Sequence, residues 1–289
     1  MASDKIHIER NTVQETLVIP LFGRKVCTDL YGDFFSDRKA VELIGRLDYD
    51  FGDQQARSRS LVERFGALEV AARQKAFAYE VRQYLLTHPK AAVVNLGCGL
   101  DQTGESCDNG ACRIYNVDFP DVISIREQLI PAGQRVTNVA ADLNDPAWMH
   151  QIPREEGAVF FGSGVFYYFT QKQMEQLVNG MAAYFHDGLL AFDIGGKQAV
   201  KMAVKTWVRQ AGIDGVDTSF YVSSIDKQIR PWLRRATVSS KGYMLGYFDL
   251  KEPSIPGFFR FLSRIGDGVM KMQIIRIAFD PLPEHGMDS

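Results

Sequence analysis

Apolar runs of strand length alternate with helix-like segments through the middle of the chain. The predicted strands are 91–96, 113–117, 135–139, 157–161 and 188–193, and predicted helices lie between them near 119–129, 145–151 and 171–185. This alternation predicts a doubly wound, parallel α/β sheet, because parallel neighbouring strands need a long, usually helical, crossover. Ligands of such sheets bind at the carboxyl ends of the strands.

The first 89 residues show no strong strand pattern and predict helices joined by loops. The clearest helix covers 66–86, where apolar residues recur with a partial period of about 3.6 residues, and His88-Pro89 ends it. A second helical segment is predicted within 31–47, and the polar stretch 48–59 is expected to be a mobile loop. This part of the chain therefore predicts a helical cap.

The segment 197–236 is predicted to be a largely helical insertion that follows the fifth strand. It contains Trp207 and Trp232, together with a loop at 212–224. Together with the helical cap, this insertion is the part of the chain that we expect outside the sheet.

Two β-rich runs near the end of the chain, 243–248 and 272–279, predict an antiparallel pair at the edge of the sheet. No repeat, low-complexity tract or linker interrupts the pattern. We therefore expect one domain over 1–289, with the cap at 1–89 and the α/β core at 90–289.

The composition narrows the class of protein further. Apolar residues make up 46% of the chain and charged residues 24%, which is enough apolar material for a packed core. A net charge of −2 argues against general nucleic-acid binding, and the one basic cluster, at 230–235, suits a solvated helix face.

The N-terminus has no signal-peptide pattern and no uncharged stretch is long enough to span a bilayer. We expect a cytoplasmic protein without membrane attachment.

The cysteines and histidines give no metal-binding pattern. Cys107 and Cys112 flank a predicted turn, but in a chain without a secretion signal we expect all four cysteines to be free thiols. The five histidines form no motif with zinc-ligand spacing, so we predict no metal.

The first predicted strand runs directly into Gly97-Cys98-Gly99, and the second ends at Asp118. Such glycines allow close approach of a nucleotide, and an acid at the end of the next strand can accept the ribose hydroxyls. Gln102 stands where a dinucleotide fingerprint has its third glycine, which disfavours an NAD(P)-dependent oxidoreductase. No phosphate-binding loop follows either. A ligand with a ribose and no phosphate fits better, and S-adenosylmethionine is such a ligand.

Three segments carry a resemblance to a known family: 95–101 (NLGCGLD), 115–122 (YNVDFPDV) and 164–168 (GVFYY). They resemble the leucine carboxyl methyltransferase family, and within it the TcmP-like O-methyltransferases of polyketide biosynthesis. The resemblance implies a class I methyltransferase (Rossmann-like) fold with a helical cap. It also implies S-adenosylmethionine as cofactor, S-adenosylhomocysteine as product and a small-molecule acceptor.

The resemblance also implies roles for individual residues. Gly97 and Gly99 would pass under the methionine and ribose, Asp118 would accept the ribose hydroxyls, and Arg73 would bind the methionine carboxylate. The adenine would be held by Asp142 and the backbone N–H of Leu143. The alternatives are a helix cap for Asp118, a turn residue for Asp142 and a solvated helix position for Arg73. The full set of predicted cofactor-binding residues is Arg73, Gly97, Cys98, Gly99, Asp118, Phe119, Asp142, Leu143 and Ser163.

Ser163 is the clearest departure from the family, which usually has a glutamate there that contacts the methionine end of the cofactor. No catalytic residue can be assigned from the pattern. The candidates are Tyr168, Tyr167 and His186, although two tyrosines beside an apolar strand are more often core residues.

The sequence therefore predicts an O-methyltransferase acting on a carboxyl or hydroxyl group of a small, polyketide-like metabolite. A carboxylate acceptor needs no general base at neutral pH, whereas a hydroxyl may need one. Three alternatives stay open: methylation of a protein C-terminal carboxylate, with Arg230 or Arg234 as cationic contacts; a non-catalytic cofactor-binding module; and, least favoured, the oxidoreductase.

Overall fold

A seven-stranded sheet forms the centre of the molecule in the computed structural model, which describes residues 5–9, 14–203 and 220–281. Two short strands, β1 (Ile6–His7) and β2 (Leu47–Asp48), pair separately. The strands of the main sheet are β3 (Ala92–Leu96), β4 (Arg113–Asp118), β5 (Val136–Ala140), β6 (Ala158–Gly162), β7 (Leu189–Ile194), β8 (Ala236–Gly242) and β9 (Gln273–Phe279). Their order is β5-β4-β3-β6-β7-β9-β8.

The first five strands of this order are parallel, and β9 and β8 are antiparallel to their neighbours. Every residue of β3, β6 and β7 is buried, because helices cover both faces of the sheet. This burial explains why the central strands appear in the sequence as continuous apolar runs. The predicted doubly wound sheet with an antiparallel edge is confirmed.

Ten α-helices are described, and several 3₁₀ turns connect them. The helices are α1 (Glu15–Leu30), α2 (Arg38–Gly45), α3 (Gly52–Arg57), α4 (Leu61–Thr87), α5 (Thr103–Ser106), α6 (Pro120–Leu129), α7 (Gln171–Tyr184), α8 (Lys197–Ala203), α9 (Ile225–Gln228) and α10 (Gly257–Gly268). None of the described helices has the length and apolar character needed to span a bilayer.

Alternate residues of each central strand enter cores on opposite faces of the sheet. Val94 and Phe160 pack on one face with the side chains of α7. Val93 and Phe161 pack on the other face, against α4 and residues of α1 and α10. A third cluster joins α1, α2 and α6 beside the sheet. The helices of the first 89 residues therefore pack onto one face and one end of the sheet.

Several predicted elements differ from the structure. The run 243–248 is not a strand: its residues form turns, and its predicted place at the edge is taken by β8. Val238 is the one buried residue of β8. The sequence of this edge strand therefore lacks the alternation of apolar and polar residues from which a strand is predicted. The apolar side chains of Tyr243 and Met244 are instead buried in the core beside α4.

The N-terminal third also contains elements that the sequence pattern did not predict. The stretch 48–59, expected to be a loop, contains α3 and the end of β2. Helix α1 was not predicted, because Pro20 and Gly23 interrupt its pattern. Of the predicted helical insertion, residues 204–219, with Trp207 and most of the loop 212–224, lie outside the described residues.

Candidate active site

A cavity of about 400 Å³ lies at the carboxyl ends of β3, β4, β5 and β6, as expected for a parallel sheet. Helices α1 and α4 complete its wall. Its size is typical of small-molecule sites. The lining residues include all nine predicted cofactor-binding residues and both candidate tyrosines: Arg73, Gly97, Cys98, Gly99, Asp118, Phe119, Asp142, Leu143, Ser163, Tyr167 and Tyr168.

The loop after β3 turns through two glycines with positive φ angles, 64° at Gly97 and 47° at Gly99. These angles favour glycine over residues that carry a Cβ atom. A Cβ atom at Gly97 would also collide with the side chain of Val165, and one at Gly99 would lie 3.1 Å from the Leu17 side chain. Packing within the protein therefore already requires glycine at Gly97.

Two buried arginines hold this loop by its carbonyl groups. Arg126 donates to the backbone oxygens of Gly99 at 2.9 Å and Asp101 at 2.7 Å. Arg24, from α1, donates to the oxygen of Leu100 at 3.1 Å and to the Asp101 carboxylate at 2.9 Å. The loop is thus tied to α1 on one side and to α6 on the other. The sequence analysis did not identify either arginine.

The Asp101 carboxylate is the centre of a hydrogen-bond cluster at the cavity wall. It also accepts from Gln74 of α4 at 3.1 Å, from Asn95 of β3 at 3.2 Å and from the Thr103 hydroxyl at 2.9 Å. One side chain therefore joins the helical cap, the first core strand and the glycine loop.

Asp118 connects the glycine loop to the next strand. Its Oδ2 accepts from the N–H of Gly99 and its Oδ1 from the N–H of Phe119, both at 2.8 Å. Burial raises the pKa of the Asp118 carboxyl above its usual value, although both N–H donors act in the opposite direction. Each oxygen of a carboxylate can accept a second hydrogen bond. Asp118 makes no side-chain cap bond to α6, so the predicted alternative of a helix cap is not what the structure shows.

The turn after β5 has the geometry proposed as the alternative for Asp142. Its Oδ1 accepts from the backbone N–H of Asn144 at 2.9 Å and from the Asn144 side-chain amide at 3.0 Å. Asp142 and Leu143 nevertheless both line the cavity. This local turn presents them there, so a turn role and a ligand role are compatible.

Arg73 is not a solvated residue of a helix face. Its Nη1 lies 2.9 Å from Oδ2 of Asp193, and both side chains are largely buried. Asp193 also accepts from the N–H of Gly164 at 2.6 Å. The Nε atom of Arg73 is buried and has no hydrogen-bond partner among the described residues.

Tyr167 and Tyr168 lie side by side next to this ion pair, with ring centroids 4.5 Å apart. Tyr168 is 37% exposed and both residues line the cavity, so neither is simply a core residue. Burial raises the pKa of both phenols above the usual value, which keeps them protonated at neutral pH. They can donate hydrogen bonds there but are poor general bases.

His186 lies away from this cavity. It lies in the turn before β7, at the amino edge of the sheet, whereas the cavity is at the carboxyl edge. Burial, together with Arg235 and Arg154, lowers its pKa. We do not retain His186 as a catalytic candidate.

The described residues contain no group of three or more histidine, cysteine, aspartate or glutamate side chains placed to hold a metal ion. All four cysteines are free and buried. Burial raises the pKa of Cys98, in the glycine loop, so it is a protonated thiol at neutral pH.

Known proteins resemble the chain in sequence and in fold. Residues 20–182 match the model of the leucine carboxyl methyltransferase family. The chain is 28% identical over 182 residues to the tetracenomycin polyketide synthesis O-methyltransferase TcmP of Streptomyces glaucescens. This alignment covers 63% of this chain and 65% of TcmP. The alignment thus spans just under two thirds of that relative.

A second relative is the S-adenosyl-L-methionine-dependent methyltransferase dpfgK of Gibberella zeae, 26% identical over 67% of this chain and 70% of dpfgK. Among solved structures, a DUF574 family protein of Streptomyces avermitilis superposes with a TM-score of 0.56 at 14% identity, over 82% of this chain and 94% of that one. That likeness supports the fold alone.

The sheet order, with its antiparallel edge, is that of class I methyltransferases. The predicted fold class, enzyme class and cofactor are therefore confirmed, and the oxidoreductase alternative is not supported. The chain belongs to the leucine carboxyl methyltransferase family of S-adenosylmethionine-dependent methyltransferases.

Proposed function

We propose that the protein transfers the methyl group of S-adenosylmethionine to a carboxylate oxygen of a small aromatic metabolite. The observation that carries this proposal is the chemistry of the cavity wall, which, in the part of the chain that the structure describes, includes no histidine and no lysine. A hydroxyl acceptor reacts faster with the help of a general base, whereas a carboxylate is already ionised at neutral pH and needs none.

The acids on the wall are unsuited to act as that base. Asp101 already accepts from Arg24, Gln74 and other donors. Asp118 ends β4 and Asp142 follows β5, where we propose that they bind the ribose and the adenine. The tyrosines are protonated at neutral pH. Hydrogen-bond donors without a base suit an acceptor that is already an anion.

The positions of the cavity residues suit one orientation of the bound cofactor, with its adenine near β5 and its amino-acid end near Arg73. We propose that Asp142 and the N–H of Leu143 bind the adenine, with Phe119 against its ring, and that Asp118 accepts the ribose hydroxyls. Arg73, Gly97 and Ser163 would surround the amino-acid end. When bound, the cofactor supplies an electrophilic methyl group on a sulfonium.

The remaining wall would hold the acceptor. Leu17 and Pro20 of α1, Val70 of α4 and Phe169 make it largely apolar. Apolar walls exclude water, and a displacement of this kind depends mainly on holding the acceptor oxygen in line with the carbon–sulfur bond. The partly exposed ring of Tyr168 offers a stacking surface for an aromatic acceptor. The name of TcmP, which refers to a polyketide, agrees with such a substrate.

The alternative of a protein C-terminus as acceptor has less support. Arg230 and Arg234 do not line the cavity, and Arg230 is paired with Asp226 at 2.8 Å. The cationic contacts expected for that substrate are therefore not at the site in the described residues.

Two measurements test the proposal. Calorimetric titration should show binding of S-adenosylhomocysteine and none of NADH or NADPH. Turnover should then be measured on matched aromatic pairs that carry either a carboxylate or a phenol on the same ring system. We expect methyl esters from the acids and little product from the phenols. Methyl ethers from the phenols alone would overturn the carboxylate assignment, and binding of a nicotinamide ligand alone would overturn the cofactor site.

A further inference from the structure

Asp193 lies near the end of β7 and binds two residues that line the cavity. One carboxylate oxygen accepts from Nη1 of Arg73, on α4, at 2.9 Å. The other accepts from the backbone N–H of Gly164, in the loop after β6, at 2.6 Å. Asp193 is only 6% exposed, so both bonds lie in a setting of low polarity where they are strong.

These contacts place the Arg73 guanidinium against the backbone of Gly164. Gly164 has a φ of 71°, and a Cβ atom there would lie 3.6 Å from both Nη1 and Nη2 of Arg73. Asp193 uses one edge of the guanidinium, while the buried Nε has no partner among the described residues. Arg73 thus keeps hydrogen-bond donors for a ligand in the cavity that it lines.

Asp193 is also the acid that supplies the counter-charge for Arg73. Ser163, beside Gly164, is a neutral side chain. Glu69 lies one helical turn before Arg73, but burial raises the pKa of Glu69 to about 8, so it is mostly protonated at pH 7. The acid that contacts the Arg73 guanidinium is Asp193, at hydrogen-bond distance.

We propose that Asp193 is a positioning residue that holds the Arg73 guanidinium ready to bind the carboxylate at the amino-acid end of the cofactor. An arginine side chain has many rotamers, and a bond that fixes one of them lowers the entropy lost on ligand binding. This inference rests on the proposed cofactor site.

The test compares two ligands that differ only at the amino-acid end. S-adenosylhomocysteine contains that end, and 5′-methylthioadenosine has the same adenosine and sulfur without it. In Asp193→Asn we expect about 10- to 100-fold weaker binding of S-adenosylhomocysteine, the loss typical of a disturbed charged hydrogen bond. Binding of 5′-methylthioadenosine should change by less than about twofold, because the adenosine contacts are untouched.

A matched control is Asp267→Asn. Asp267 is a partly buried acid whose carboxylate accepts from the N–H groups of Met244 and Leu245, and it does not line the cavity. This variant should leave the affinity ratio of the two ligands unchanged. A comparable change in that ratio would show that loss of any buried acid produces it, and would overturn the assignment.

Asp193→Asn leaves a buried arginine without a counter-charge and can therefore unfold. The double variant Arg73→Gln/Asp193→Asn removes both charges and keeps the test available. If Asp193 acts only through Arg73, the double variant and Arg73→Gln should have the same ratio of affinities. A further loss of S-adenosylhomocysteine binding in the double variant would contradict the positioning role.

Failure of the inference and failure of the proposed function give different results. If Asp193→Asn weakens both ligands equally, Asp193 only supports the fold and the inference is wrong, while the cofactor site stands. If the wild-type protein binds neither ligand, the cofactor site itself has been wrongly placed, and the inference falls with it.

Discussion

Asp118 shows how one carboxylate can serve both the fold and a ligand. It accepts hydrogen bonds from the N–H groups of Gly99 and Phe119, which hold the glycine loop against the start of α6. It also lines the cavity and can accept further bonds there. The ribose role was predicted from its position after the second strand, and this geometry is compatible with it.

We expect Asp118→Ala to weaken binding of S-adenosylhomocysteine and 5′-methylthioadenosine alike, by about 10- to 100-fold, because both ligands carry the ribose. This differs from Asp193→Asn, which should affect only the first ligand. Calorimetric titration of both ligands against both variants measures the contrast. Asp118→Asn is the control that preserves side-chain shape. Wild-type affinity in a folded Asp118→Ala protein would remove Asp118 from the ribose site.

The residues that the sequence analysis missed have a common property. Asp193, Arg24 and Arg126 are buried charged residues whose partners lie far away along the chain. Asp193 did leave a signal, since it is an acid at the end of an apolar strand and precedes two glycines, much as Asp118 follows a strand. Arg24 and Arg126 left none, because charged residues are common in surface helices.

Helix α1, which the sequence analysis did not predict, forms one side of the cavity. Its residues Leu17 and Pro20 form part of the cavity wall, and Arg24 ties the helix to the glycine loop. The Arg24 side chain is 5% exposed and pairs with the Asp101 carboxylate at 2.9 Å. The position of α1 over the cavity therefore depends on a buried ion pair.

We expect Arg24→Met to destabilise the protein by about 3–5 kcal/mol, because it leaves the Asp101 carboxylate without its cation. Faster hydrogen exchange should appear in α1 and in the glycine loop. The control is Lys25→Met on the same helix, since Lys25 pairs with Asp29 nearer the surface and should cost less than about 1 kcal/mol. Equal midpoint temperatures of thermal denaturation for the two variants would show that Arg24 does not anchor α1.

The edge of the sheet shows why strand prediction failed at one element. The apolar run 243–248 suggested a strand, yet it lies in turns where Asp267 accepts the N–H groups of Met244 and Leu245. The true edge strand, β8, is mostly polar and exposed. An edge strand needs few apolar residues, because one side of it has no neighbouring strand and little of it is buried.

At the scale of the whole molecule, three acids among the described residues have pKa values raised by burial: Glu69, Asp118 and Asp267. Such a group favours the folded state most at low pH, where it is protonated. For Glu69 this contribution is complete below the ordinary value near 4.5 and is lost as the pH rises through about 8. The folded protein should therefore lose stability as the pH rises from about 5 to about 8.

We expect the free energy of unfolding of the wild type to fall between pH 5 and pH 9 by about 2 kcal/mol or more relative to Glu69→Gln, whose amide does not ionise. Urea denaturation at several pH values measures the difference. Glu42→Gln, at an exposed position of α2, is the control. Parallel pH curves for the wild type and Glu69→Gln would show that Glu69 is ionised in the folded protein already at pH 5.

The sequence by itself determined the sheet and the place of the cavity in it. Five parallel strands lie within one or two residues of their predicted ends, and the nine predicted cofactor-binding residues line one cavity. The physical reason is local: buried parallel strands need continuous apolar runs, and a tight turn at a strand end needs glycine.

Only the tertiary structure decided what holds that site together. Arg24 meets Asp101 across 77 positions of the chain, and Arg73 meets Asp193 across 120. Local propensity carries no information about such pairs, because each charged side chain is compatible with a solvated helix or strand end until packing removes water from it. The same packing brought α1 onto the cavity, left His186 at the opposite edge and assigned Tyr243 to the core.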